Sequence, residues 1–281
     1  MDALVSTQWL ADELGAPDLR VFDCTVFLHR PLDGPMEVES GLAAFEGGHI
    51  PGSGFLDLIE ELSNPCSRLP FTAPGPEELA AAFAARGVGP GTRVVLYDRV
   101  VNMWATRAWW LLRSIGFDDA AVLDGGWRAW VTDGREVSTD PAPDHAPGRL
   151  VAAPRPDAVV DLAAVEAGIG DDKVCLVNAL SPQVHDGSDA AYGRPGHIPS
   201  SVNVHAVDLV DPDTHRYRPL DELRDRFAQA GVAGPRIITW CGGGIAATSD
   251  AFVLTRLGHD DVAVYDGSLR EWVDAGRPLE R

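Results

Sequence analysis

One cysteine in this chain stands where a thiol can be made reactive. Cys241 ends the β-branched run Ile237-Ile238-Thr239-Trp240 and is followed by Gly242-Gly243-Gly244 and then Ile245-Ala246-Ala247-Thr248. The pattern predicts a strand, a tight loop and a helix over 246–257. The glycines let the loop wrap back so that successive N–H groups, those of Gly242, Gly243, Gly244, Ile245 and Ala246, point toward the sulfur. The helix adds the positive end of its dipole at the same spot. Both effects favour thiolate, the nucleophilic form of cysteine. The plain alternative is a buried cysteine ahead of a glycine turn. Of the other three cysteines, Cys175 lies within an apolar run and reads as core, Cys24 ends a second apolar run, and Cys66 sits in a Pro/Ser loop.

The loop belongs to a duplicated pattern. Gly48-His49-Ile50-Pro51 returns as Gly196-His197-Ile198-Pro199, and Val94-Val95-Leu96-Tyr97-Asp98 returns as Ile237-Ile238-Thr239-Trp240-Cys241. Asp124-Gly125-Gly126-Trp127-Arg128-Ala129-Trp130 returns as Asp266-Gly267-Ser268-Leu269-Arg270-Glu271-Trp272. A nearly constant offset over three motifs marks a true duplication. The chain divides into halves 1–137 and 157–281, with five prolines in an extended linker over 138–156.

Each half alternates short apolar runs with amphipathic stretches. Strands are predicted over 19–22, 54–56, 93–97 and 120–123, and again over 174–177, 202–204, 236–240 and 262–264. Helices are predicted over 7–14, 76–86, 105–115 and 126–132, and over 161–167, 220–230, 246–257 and 269–275. Continuous apolar strands alternating with helices imply an α/β fold, each half a mainly parallel sheet flanked by helices. Ligands of such sheets sit beyond the strand carboxyl ends, and Cys241 ends its strand. Trp109-Trp110 recur with apolar neighbours at helical spacing and read as core. The two Gly-His-Ile-Pro segments read as turns leading into a strand. His49 is carried forward as a candidate substrate contact.

The loop and the duplication together resemble the rhodanese superfamily, and most closely its tandem-domain 3-mercaptopyruvate sulfurtransferases. Their loop reads Cys-Gly-Ser/Thr-Gly-Val-Thr, against Cys241-Gly242-Gly243-Gly244-Ile245-Ala246 here. Thiosulfate sulfurtransferases carry basic residues after the cysteine, which this chain lacks. The resemblance implies two tandem rhodanese-like domains, the first inactive because Asp98 stands where the second has Cys241. It implies that the first domain supplies one wall of a cleft over the second domain's loop, with Trp104 and Arg107 in the matching region. It implies a two-step transfer: Cys241 takes a sulfane sulfur from a small anionic donor, 3-mercaptopyruvate favoured, and passes it as a persulfide to a thiol, cyanide or sulfite. No cofactor or metal is implied. Two departures bear on the donor. The family's Asp-Ser/Ala-Arg is Asn178-Ala179-Leu180 here, and Arg194, the one arginine between Ser181 and Gly196-His197, is with Arg107 the candidate to meet the donor carboxylate.

Competing chemistries are weighed on the same residues. A cysteine phosphatase needs an arginine six positions after the nucleophile, and that position is Ala247. A papain-type hydrolase needs a histidine beside the cysteine, and none of the eight lies near in sequence. A thiosulfate sulfurtransferase and a non-catalytic persulfide carrier stay open. The formal net charge of −19 argues against nucleic acid and anionic membrane as partners, and requires any anion site to be built locally. Four scattered cysteines without a Cys-x-x-Cys pair argue against a disulfide scaffold, a structural zinc site or a dithiol redox motif. No stretch reaches membrane-spanning length, and a cytoplasmic location is expected.

Overall fold

A computed structural model describes residues 1–29 and 36–281, which form two compact units. The first holds Met1–Pro65, Pro74–Pro154 and Asp213–Arg216; the second holds Cys66–Ala73, Arg155–Pro212 and Tyr217–Arg281. Each unit therefore contains a short segment from the other half of the sequence.

In the first unit the order is β1 (Leu4–Val5), α1 (Thr7–Glu13), β2 (Leu19–Asp23), a hairpin of β3 (Val26–His29) and β4 (Glu37–Ser40), α2 (Leu42–Glu46), β5 (Gly54–Phe55), α3 (Pro76–Ala85), β6 (Arg93–Tyr97), α4 (Met103–Ser114), β7 (Ala120–Leu123) and α5 (Gly126–Thr132). In the second unit follow β8 (Val159–Val160), α6 (Leu162–Gly168), β9 (Val174–Asn178), α7 (Pro182–His185), β10 (Ser201–Asn203), a 3-10 turn (Ala206–Leu209), α8 (Leu220–Gln229), β11 (Arg236–Trp240), α9 (Ala247–Arg256), β12 (Asp261–Tyr265) and α10 (Ser268–Asp274).

The two main sheets are parallel and repeat one another. Their orders are β1-β7-β6-β2-β5 and, read in the matching sense, β8-β12-β11-β9-β10. The sequence predicts four strands in each; β1 and β8, two residues apiece at a sheet edge, are too short to leave a periodic signal. The central strands β6 and β11 are those that lead into Asp98 and Cys241. Their side chains are buried on both faces, as Val94, Val95, Leu96 and Tyr97 show in one and Ile237, Ile238, Thr239 and Trp240 in the other. That burial is why these strands read as unbroken apolar runs.

Local chemistry fixes the helix starts. Ser6 Oγ accepts the Trp9 N–H at 3.1 Å to cap α1, and Asp161 Oδ1 accepts the Ala164 N–H at 3.0 Å to cap α6. Pro76 opens α3, and Glu78 reaches back to the Gly75 N–H at 3.0 Å. Trp109 and Trp110 are buried as expected, and Trp109 Nε1 donates to the Ala120 carbonyl. The proline-rich stretch has no regular structure beyond an isolated bridge, yet it is tied down within the first unit. The Gly148 N–H donates to the Ala84 carbonyl at 2.7 Å and the Ala153 N–H to the Ile115 carbonyl at 2.9 Å.

Candidate active site

Strand β11 delivers Cys241 to the carboxyl end of its sheet. Trp240 pairs in register with Asn178 of β9, and the Ala179 N–H donates to the Trp240 carbonyl at 2.8 Å. Beyond the strand, the chain is held by the start of α10. The carbonyls of Cys241 and Gly242 accept from the N–H groups of Leu269 and Arg270 at 3.0 and 3.1 Å. Peptide planes are trans, so those bonds turn the N–H groups of Gly242 and Gly243 away from α10. Among the described residues, nothing accepts from the N–H groups of Gly242, Gly243, Ile245 and Ala246. Four donors are thus left around a cysteine that is 2% exposed. Gly244 differs from the expectation: its N–H donates to Ser268 Oγ at 3.0 Å, as does the Cys241 N–H at 3.1 Å.

Two of the three glycines are required by the packing around them. Gly244 has φ +76°, and a Cβ there would lie 2.7 Å from the Asp266 carbonyl oxygen. A Cβ on Gly242 would lie 1.9 Å from Tyr192 Oη, so the hydroxyl end of the phenol is packed against the residue next to the cysteine. Around Gly243 there is open space within 4 Å and no positive φ. Only Gly243 can take a side chain without rearranging the loop.

Helix α9 follows, with Ala247 at its first position and no side-chain cap. One residue in it stands apart. Asp250 is fully buried, neither carboxyl oxygen has a hydrogen-bond partner, and burial pushes its pKa well above the usual carboxylate range. A raised folded-state pKa contributes stability that is present at acid pH and lost as pH rises through that value. Asp250→Leu should therefore stabilise the protein by about 1–3 kcal/mol near neutrality. Thermal unfolding at pH 5 and pH 8 checks it: the gain should be larger at pH 8.

In the first unit the matching loop is already filled. Asp98 Oδ1 accepts the N–H groups of Val100 and Asn102 at 2.8 and 3.1 Å, and Oδ2 those of Trp104 and Ala105 at 2.9 and 3.0 Å. Burial pushes the Asp98 carboxyl up to about 6, against the pull of those four donors. Trp104 and Arg107 are both 1% exposed on α4, so Arg107 is neither a surface arginine nor open to solvent. His49 is 2% exposed, its Nδ1 donates to the Phe45 carbonyl at 2.9 Å, and its ring stacks on Phe45. It borders a cleft of about 420 Å³ within the first unit, lined also by Glu46, Asp57, Glu61 and Arg86. The expected turn role fits this geometry.

In the second unit the equivalent histidine, His197, stacks on His185 with ring centroids 3.7 Å apart and donates from Nδ1 to the His185 carbonyl at 2.7 Å. His185 thus occupies the place of Phe45. Asn178 Nδ2 lies 3.1 Å from His185 Nδ1; an amide nitrogen only donates, so the His185 proton is on Nε2. Burial and the neighbouring His197 lower the His185 pKa to about 4, which keeps the ring neutral. Arg194 is exposed, and its guanidinium donates to the Arg277 carbonyl at 2.8 Å rather than to any residue of the cysteine loop. Cys24 is fully buried, with its thiol pKa raised by burial and then by Asp23 and Asp98; Cys175 is half-buried, and Cys66 is exposed. The segment Cys66–Ala73 belongs to the second unit, where the Ala73 N–H donates to Asp266 Oδ2 at 2.8 Å.

Sequence reasoning missed Ser268, Tyr192 and His185. Ser268 had a signal, since it replaces Gly126 in an otherwise aligned motif. Tyr192 lies outside the three repeated motifs, so the repeat could not point to it.

The family description "Rhodanese-like domain" matches residues 6–133 and 164–275. The chain is 32% identical to a probable 3-mercaptopyruvate sulfurtransferase of Pseudomonas aeruginosa, over 98% of this chain and 97% of that one. It is 30% identical to a thiosulfate sulfurtransferase of Gallus gallus, over 98% and 95% of the two chains. Among solved structures it is similar to SseA from Escherichia coli, with a TM-score of 0.81, 30% identity, and 95% of this chain and 99% of that one covered.

Proposed function

Because the chain belongs to the rhodanese-like family, we propose that it is a sulfurtransferase that carries a sulfane sulfur on Cys241. The observation that carries this reading is the buried cysteine with four uncommitted N–H donors around it. The thiolate attacks the sulfur of the donor. With 3-mercaptopyruvate the new S–S bond forms as the C–S bond breaks, and the electron pair leaves as the enolate of pyruvate, which takes a proton. The terminal sulfur of the persulfide is then anionic, and the loop N–H groups stabilise it. An acceptor thiolate, cyanide or sulfite attacks that sulfur, breaks the S–S bond and returns the Cys241 thiolate. Intact-protein mass spectrometry after incubation with donor alone should show one added sulfur, mapped to Cys241. Persulfide on Cys24, Cys66 or Cys175 instead would overturn the assignment. Turnover with donor and acceptor separates an enzyme from a persulfide carrier, which would load once and stop.

The same reading divides the labour. The amino-terminal unit, with Asp98 filling its loop, carries no sulfur, and the carboxy-terminal unit does, the two joined through 138–156. The reaction runs in the cytoplasm, a reading supported by four cysteines that form no disulfide; among the described residues no helix is long and apolar enough to cross a membrane.

The donor is 3-mercaptopyruvate rather than thiosulfate. No cation lies in the loop, His185 is neutral, and each uncompensated charge near a partly buried site costs on the order of 1–4 kcal/mol. A second negative charge on the donor is thus opposed more than a first. Open space around Gly243 makes the test feasible. Gly243→Arg should move the ratio of kcat/KM values toward thiosulfate by roughly tenfold or more, measured at matched ionic strength. A parent protein that already favours thiosulfate would overturn the charge argument.

A further inference from the structure

The duplicated architecture places the same turn beneath both loops. Gly126 has φ +53° and Ser268 has φ +52°. One residue on, the Trp127 N–H donates to the Asp98 carbonyl at 3.0 Å, and the Leu269 N–H donates to the Cys241 carbonyl at 3.0 Å. The backbone path is shared; the hydroxymethyl group is not. L side chains rarely adopt this left-handed region, and glycine does so freely, so the second half holds a serine where a glycine would be easier. At Gly126 a Cβ would lie 2.4 Å from the Asp98 carbonyl oxygen, so the first half has no room for one. The second half has made room, and Ser268 is fully buried there.

Its hydroxyl is fully used. Ser268 Oγ donates to the Tyr265 carbonyl at 2.7 Å and accepts from Cys241 at 3.1 Å and Gly244 at 3.0 Å. One donor and two acceptor sites are all that a hydroxyl offers. The donor bond to Tyr265 aims both lone pairs at the loop. In the first half four loop N–H groups are taken by the Asp98 carboxylate itself. A cysteine sulfur makes no such set of bonds; among the described residues the Cys241 sulfur has no hydrogen-bond partner. Something else must satisfy the N–H groups that do not serve the sulfur, because buried orphan donors are costly.

We propose that Ser268 is a positioning residue that sorts the loop donors, binding the N–H groups of Cys241 and Gly244 so that those of Gly242, Gly243, Ile245 and Ala246 stay open for the sulfur. This goes deeper into the persulfide reading and rests on it. Ser268 touches no reacting atom; it acts through the loop. Without its oxygen the two released N–H groups turn toward other acceptors and the cradle loses its shape.

Two variants separate the hydroxyl from the backbone strain. Ser268→Ala removes Oγ and keeps the unfavourable φ; Ser268→Gly removes both. The readout is the rate at which iodoacetamide alkylates Cys241, followed by peptide mass with Cys66 as internal reference, together with Tm. Both variants should alkylate Cys241 at least tenfold more slowly than the parent, with Cys66 unchanged, while the glycine variant melts above the alanine one. In donor assays the loss should fall on kcat more than on KM. Alkylation within twofold of the parent in the glycine variant would overturn the proposal and make Ser268 only structural. Alkylation requires no sulfur donor, so this outcome is distinct from failure of the sulfurtransferase reading, which would appear as absence of persulfide in the parent.

Discussion

Cys241→Ser should lower the rate of sulfur transfer by at least about 10⁴-fold, while Cys24→Ser, Cys66→Ser and Cys175→Ser each stay within a few-fold of the parent. A factor of that size is roughly 5 kcal/mol of barrier. The reason lies in the chemistry of the two atoms. Sulfur attacks sulfur readily and forms a persulfide that backbone N–H groups can hold, whereas a serine hydroxyl is a weak nucleophile that forms none. A serine nucleophile needs a base to take its proton, and among the described residues no histidine hydrogen-bonds the side chain at 241. The other cysteines lack the cradle: Cys24 is fully buried with its thiol pushed up by burial, Cys175 is half-buried with its pKa raised for the same reason, and Cys66 lies exposed in a loop. Steady-state kinetics with 3-mercaptopyruvate and a thiol acceptor check this. A Cys241→Ser protein retaining a tenth of the parent rate would sink the nucleophile assignment.

Much of this site was legible because its parts are local in sequence. Strand β11, the glycines and α9 are contiguous, and the apolar run with β-branched residues announced the strand to the residue. The parallel sheet was legible because both faces of β6 and β11 are buried, which removes the alternation a half-exposed strand would show. What stayed hidden depends on long-range contact. The closeness of Tyr192 to Gly242 joins residues far apart in sequence, and no periodicity encodes it. His185 reads as an unremarkable residue until the fold stacks it on His197 and ties it to Asn178. The burial of Arg107 follows from α4 being covered on all sides, although its sequence shows an ordinary arginine among apolar residues. The assignment of Cys66–Ala73 to the second unit was equally invisible, since a cut between the halves in sequence is not the cut between the compact units. A carboxy-terminal half expressed from about residue 156 would lack that segment and the Ala73–Asp266 bond.

The Asp98 loop offers the second large effect, on stability rather than rate. Asp98→Asn should destabilise the protein by about 3 kcal/mol at neutral pH. The carboxylate accepts four N–H groups, two on each oxygen. Asparagine keeps an acceptor for one pair and presents an NH₂ group to the other, leaving two buried donors facing a donor. Each unsatisfied buried donor costs about 1–3 kcal/mol, which exceeds what is recovered by burying an amide in place of a charge. The pH dependence gives an independent signature. With a folded-state pKa of about 6, above the ordinary value of 3.8, the Asp98 contribution is fully present below pH 4 and lost as pH rises through 6. A rise of that size corresponds to roughly 3 kcal/mol spread over that window. The asparagine variant has nothing to titrate, so its stability deficit relative to the parent should widen as pH falls from 7 to 4. Urea unfolding at several pH values measures both quantities. A deficit that is constant with pH would mean that the Asp98 carboxyl keeps its ordinary pKa inside the loop. A variant as stable as the parent at pH 7 would mean that the four N–H groups find other acceptors, and that the loop of the first unit is not held together by its own side chain.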